Sequence, residues 1–164
     1  MIAKTSLPDA LQPNKLPVIP RITARVLIEN ENQYLYLLQT NERGGELSLP
    51  GGRVKNKEFI RKGLVREILE ETNLSVLKKD LQPIHTQHRK ENNEFEITFF
   101  FKIEIEDISN LALNEPEKFQ KFVWFAKDEI SENLIPEFRA ALKSIKKGEL
   151  FSEFPKKKKG ITIR

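Results

Sequence analysis

Along the chain, apolar and polar positions alternate first with a period of two. RITARVLIE, residues 21–29, sets Ile22, Ala24, Val26 and Ile28 against polar neighbours, the signature of a strand. NENQ (Asn30 to Gln33) has turn chemistry, and YLYLLQ, residues 34–39, returns as a second strand. TNERGGE reads as a loop and LSL, residues 47–49, as a short strand. From about Lys57 to Thr72 the period lengthens to that of a helix, with Leu64, Val65, Ile68 and Leu69 on one arc. LSVL, residues 74–77, is a candidate short strand. PIHTQHRK and EFEITFFFKIEIE flank ENN and predict a long hairpin, whose Phe- and Ile-rich second arm suits a central strand. KFVWFA is a further strand. PEFRAALKSIKK is a closing helix, with Pro136 in its first turn and Gly148 past its end. The pattern predicts a layered α/β chain (α+β in the looser sense), a mixed sheet with helices on its faces.

Prolines 8, 13, 17 and 20 mark residues 1–20 as an extended arm. The domain proper is expected over 21–150, followed by a basic tail over 151–164 that holds Lys156–Lys159. The 164 residues suit one domain with a sizeable core. With no cysteine, disulfides and thiolate metal sites are excluded and a reducing cytoplasm is the expected setting. No apolar run approaches a membrane span, and the first residues lack the apolar core of a signal peptide. The net charge of +4 fits a nucleic acid, an acidic membrane or an anionic small molecule as partner. The lysine block has no interleaved aromatics, so a solvated terminus is its simplest role.

Candidate chemistry lies in LPGGRVKNKEFIRKGLVREILEETNL, residues 49–74. Glu67, Glu70 and Glu71 fall within about 100° of helix arc. Like charges at such spacing cost a few tenths of a kcal/mol per pair, and they stand near the C-terminal end, where the helix dipole disfavours them. A divalent cation reverses that cost. Oxygen ligands without His or Cys favour Mg²⁺, with Mn²⁺ as a substitute. Gly63 projects into the acidic arc, where it makes room for close backbone approach, the Gly51-Gly52 turn being the expected neighbour. Arg66 can reach Glu70 one turn on.

This stretch resembles the Nudix box: Gly, five residues, Glu, seven residues, Arg-Glu, an aliphatic, any residue, Glu-Glu, any residue, Gly and an aliphatic. Gly52, Glu58, Arg66, Glu67, Glu70 and Glu71 match, and LSLPGGRV resembles the family's Leu-Pro-Gly-Gly lead-in. Asn73 stands in the place of the usual Gly, and Leu47 in that of a frequent aromatic. The resemblance implies the Nudix fold, an α/β/α sandwich whose catalytic helix follows the Pro-Gly-Gly turn. It implies hydrolysis of the pyrophosphate bond in a nucleoside diphosphate linked to another group: a nucleoside triphosphate, a nucleotide sugar or a dinucleoside polyphosphate. Two other readings stay open, a non-catalytic nucleotide sensor and an RNA 5′-pyrophosphohydrolase.

By the same resemblance Glu70, Glu71 and the Gly51 carbonyl are the expected metal ligands. Glu67 is a ligand or the general base, and Glu58 an outer or additional metal carboxylate. Arg66 orients Glu67. A further carboxylate comes from Glu94, Glu96, Glu115 or Glu117. Arg21, Arg25 and Arg43 are candidate phosphate contacts, with Gly52 beside them. His85 and His88 fall on opposite faces of a strand and are most simply packing residues. Trp124 is most simply core.

Overall fold

The computed structural model describes residues 18–155. The arm up to residue 17 and the lysine block at 156–159 lie outside them. The strands are β1 (Arg21–Asn30), β2 (Gln33–Gln39), β3 (Leu47–Ser48), β4 (Gly51–Arg53), β5 (Gln82–Glu91), β6 (Glu94–Glu104), β7 (Phe119–Ala126) and β8 (Phe151–Phe154). The helices are α1 (Ile60–Thr72) and α2 (Pro136–Lys146). All strands join one mixed sheet in the order β3-β2-β1-β6-β5-β8, with β4 pairing to β1 and β7 to β2. β1 and β6 run parallel at its centre.

Two hairpins are set by residues with positive φ. Glu31 (46°) and Asn32 (64°) join β1 to β2, and Asn92 (49°) and Asn93 (63°) join β5 to β6. Paired left-handed residues give the twist that antiparallel strands need, and Asn tolerates that region well. Side chains of β1 then alternate between two cores. Ala24, Val26 and Ile28 meet Leu64 and Ile68 of α1, while Leu27 meets Phe138 and Leu142 of α2. Burial on both faces yields the α/β/α layering.

The structure amends several sequence expectations. The helix begins at Ile60 rather than Lys57, because Lys57 has φ 64° and the Glu58 amide closes a turn onto the Lys55 carbonyl. Residues 74–77 form no strand; Leu74 instead plugs the α1 core. Gly51–Arg53, read as a turn, is also a short strand on β1. Phe151–Phe154, placed in the tail, pairs parallel with β5 and so extends the sheet past residue 150. Leu47 and Trp124 pack into the cores, and Leu69 is 44% exposed where a packing role was expected.

Asn73 ends α1 in the left-handed region (φ 59°, ψ 12°), its amide donating to the Leu69 carbonyl and its Nδ2 to the Asn110 carbonyl at 3.0 Å. Asn73→Ala removes the side-chain bond and keeps the strained backbone, so thermal unfolding should show a loss of about 1 kcal/mol or more. Asn73→Gly exchanges that bond for backbone ease and should shift stability by less than about 0.5 kcal/mol.

Candidate active site

Arg66, in the middle of α1, organises the acidic residues. Its Nε and Nη2 donate to the two Glu58 oxygens, each at 3.0 Å. Nη1 donates to Glu67 at 2.8 Å and to Glu70 at 3.2 Å, and Nη2 also reaches the Arg53 carbonyl at 3.2 Å. One guanidinium thus gathers three carboxylates from the loop and the helix. The Glu58 carboxyl is held down at about 2, chiefly by Arg66 and then by the Lys55 amide. Arg66 is in turn raised above its ordinary value, first by Glu58.

Glycines clear the space these side chains occupy. A Cβ on Gly52 would lie 2.6 Å from the Glu67 carboxylate carbon, and one on Gly63 would lie 2.9 Å from Glu58 Oε2. Gly63 therefore admits Glu58, not the expected Gly51-Gly52 backbone. Gly51 has φ 126°, and a Cβ there would lie 2.2 Å from the Ala24 carbonyl oxygen, so the turn can press onto β1 only as glycine.

Glu71 differs from its neighbours. It was expected on an outward acidic arc with Glu67 and Glu70, yet it is only 4% exposed. Its Oε2 accepts the Gly51 amide at 2.8 Å. Burial pushes its carboxyl up to about 8, against the opposing pull of Arg25 and the Gly51 amide, with Glu67 and Glu115 adding to the rise. Glu70 stays at the surface.

Glu67, Glu71, Gly51 and Gly52 line a cleft of about 370 Å³. Its other walls carry Arg43, Arg89, Lys118, Glu96, Glu137 and Phe138. Arg25 also lines it. The Arg25 Nη1 donates to the Leu49 carbonyl at 3.0 Å and the Gly51 carbonyl at 2.6 Å, and its guanidinium lies 4.9 Å from the Phe138 ring centre. Arg25 is thus a brace for the glycine turn as well as a cation beside Glu71, and it engages the Gly51 oxygen expected to face a metal. Arg43 stands exposed in the short helical turn Asn41–Arg43.

The outside carboxylates separate clearly. Glu94 pairs with Arg21 at 2.9 Å at the surface and Glu117 is exposed. Glu96 faces the cleft and accepts from Thr98. Glu115 binds Lys118 through Oε1 at 2.6 Å while its Oε2 is buried without a hydrogen-bond partner. His85 is a packing residue, bonded to Glu149 and Ser152, and His88 stacks on Phe95 away from the cleft. Arg89, Lys118, Glu137 and Phe138 are cleft residues that sequence reasoning missed. For Arg89 a signal existed: it shares strand parity with His85 and Gln87, the face that α2 covers.

Among the described residues, no three His, Asp or Glu side chains converge as a cation cage; Arg66 stands between the carboxylates instead. The donor chemistry nevertheless fits a hard divalent ion: all-oxygen groups, a buried carboxylate at Glu71, an orphaned Glu115 oxygen beside it, and the gap that Gly52 leaves before Glu67.

Comparison with known proteins bears on the family and the fold. The NUDIX domain family model matches residues 19–147. No curated protein matches the chain. Among solved structures, the MutT protein of Methanosarcina mazei Go1 aligns with TM-score 0.69 and 21% identity, over 81% of this chain and 97% of that one. The MutT NUDIX hydrolase of Burkholderia pseudomallei gives 0.66 and 22% over 76% and 97%. A NUDIX hydrolase of Nitrosomonas europaea gives 0.63 and 24% over 81% and 93%. At these identities the likeness establishes the fold.

Two outcomes follow from the geometry. Gly52→Ala pushes aside a flexible carboxylate rather than backbone, so it should leave the melting temperature within a few degrees while displacing Glu67; Gly51→Ala strikes the β1 backbone and should lower it sharply. The second concerns pH. Without metal, the folded state holds a proton on Glu71 between its ordinary 4.5 and about 8, while the unfolded chain has released it. Stability from this group is full below 4.5, declines as pH rises to about 8, and levels above. Thermal unfolding in EDTA should show that decline, and Glu71→Gln should flatten it.

Proposed function

The chain belongs to the NUDIX domain family, whose members act on nucleoside diphosphates linked to another moiety, and from that premise we propose that it is a Mg²⁺-dependent pyrophosphohydrolase. The observation that carries this reading is the gathering of Glu58, Glu67 and Glu70 on Arg66, with Glu71 buried alongside, at a cleft whose far walls carry Arg43, Arg89 and Lys118. A bound Mg²⁺ supplies charge neutralisation of the diphosphate and a lowered pKa for its water. Glu67, Glu70 and Glu71 would hold it, with Glu115 the favoured carboxylate from outside the box because its inner oxygen is unpartnered beside Glu71.

The protein's own groups do the rest. Arg66 fixes Glu67 through the 2.8 Å bond, so this carboxylate can take the proton of the attacking water without searching rotamers. Arg43, Arg89 and Lys118 meet phosphate oxygens with fixed positive charge. Arg89 is shared with Glu96 and Glu137, at 3.7 and 3.8 Å, so part of its charge is already spent within the wall. A nucleoside triphosphate, a nucleotide sugar and a dinucleoside polyphosphate all offer the required bond. The cysteine-free sequence suits work in the cytoplasm. A sensor would have no need of the complete set of box carboxylates, which favours catalysis.

Phosphate and pyrophosphate release over a nucleotide panel tests this. Activity should appear with Mg²⁺ or Mn²⁺ and vanish with EDTA. Glu70→Gln, at an exposed position, should lower turnover on the order of 100-fold or more with the melting temperature unchanged. Full activity in that variant would overturn the assignment.

A further inference from the structure

The core beneath α2 reaches the catalytic cleft through Phe138, and elsewhere it borders a second cavity. That cavity has a volume of about 210 Å³ and shares no lining residue with the cleft. Leu27 of β1, Tyr34 and Tyr36 of β2, and Leu142 and Ile145 of α2 form its walls. Strand parity and helix spacing bring them together. Leu27 faces the same side as Arg25, Tyr34 and Tyr36 share one face of β2, and Ile145 follows Leu142 by one helical step of three. An apolar cavity of about 150 Å³ accepts a benzene ring, so this one has room for a ring with a small substituent.

Tyr36 does not fit a purely structural role. It is 1% exposed, its ring is held edge-on to Phe125 at 5.5 Å, and its hydroxyl is buried without a hydrogen-bond partner. Burial pushes this phenol up to about 12, with Tyr34 and Glu129, both in the cavity wall, adding to the rise. A buried hydroxyl left unpaired destabilises a fold, and a phenylalanine would fill the space without that cost. The side chains of Leu27, Leu142 and Ile145 offer a water at this point nothing further to bond. At the rim, Lys127 is committed to Glu29 and Lys146 to the Asp128 carbonyl. The Glu129 carboxylate has no ion pair among the described residues. An anion would meet that carboxylate with both ammonium groups already engaged, so the cavity suits a neutral guest, unlike the cationic walls of the cleft.

We propose that this cavity is a second ligand site, for a neutral one-ring compound whose hydroxyl or amide oxygen accepts a hydrogen bond from Tyr36. The ring lies among Leu27, Leu142 and Ile145, and its polar atom satisfies the one buried hydroxyl the core leaves unpaired. The site stands apart from the hydrolase reading, since none of its residues touches the acidic ridge or the glycine turn.

Titration of the full chain with 4-fluorophenol and with its isostere 4-fluorotoluene, followed by amide NMR shifts and fluorine linewidths, tests this. Both should bind, moving the amides of Lys127, Ile130 and Lys146 and leaving those of Gly51 and Gly52 in place. In Tyr36→Phe the affinity ratio of the phenol to the toluene should fall about tenfold, because the ligand hydroxyl loses its partner. The same variant should melt no lower than wild type and hydrolyse nucleotides at the same rate. Ile145→Phe should narrow the cavity and weaken both compounds about fivefold or more. The proposal is overturned by binding of neither compound, by shifts centred on the glycine turn, or by an unchanged affinity ratio in Tyr36→Phe. A melting temperature several degrees lower in Tyr36→Phe would also overturn it, since an ordered water would then already serve the hydroxyl.

Discussion

Three carboxylates on or beside one short helix, Glu58, Glu67 and Glu70, repel each other, and the fold is arranged around offsetting that repulsion. Arg66 is the offset within the protein. Its guanidinium joins Glu58 from the preceding loop to Glu67 and Glu70 on the helix, and it ties the set to the Arg53 carbonyl of β4. A planar fork with five donors can satisfy several partners at fixed angles, which a lysine cannot. The same bonds leave Glu67 directed at the cleft, so the interaction that stabilises the acidic ridge also orders it for chemistry.

Glu71 shows the other half of the constraint. Its carboxylate is buried against the Gly51 amide, and the turn that supplies that amide is held by Arg25 through the Leu49 and Gly51 carbonyls. Strand β1 thus reaches the site twice: its backbone seats the glycine turn, and its Arg25 braces it. The two-sided burial of the sheet permits this. Even-numbered β1 residues carry the α1 core, which leaves Arg25 free to face Phe138 and the cleft.

Much of the fold was legible in the sequence because its long elements have clean periods. β1, β2, β5, β6 and both helices follow from alternation or helical spacing, and the Asn-rich turns mark the hairpins. The short β4 and β8 were not legible, since each exists only by pairing with a strand distant in sequence. Lys57 hides the true helix start because a left-handed lysine has no sequence signature. In the site, spacing placed the box glutamates on one arc but could not say how that arc sits against the sheet, so the burial of Glu71 was missed. Arg89 and Glu137 reach the cleft only through the register of β5 and the docking of α2.

If the acidic ridge requires a cation, Arg66 and a divalent ion are partly interchangeable as its source. Thermal unfolding of Arg66→Gln, compared in EDTA and in Mg²⁺, examines this directly. The account predicts a large loss of melting temperature in EDTA that Mg²⁺ substantially restores, with wild type gaining much less from the ion. An equal loss under both conditions would contradict it.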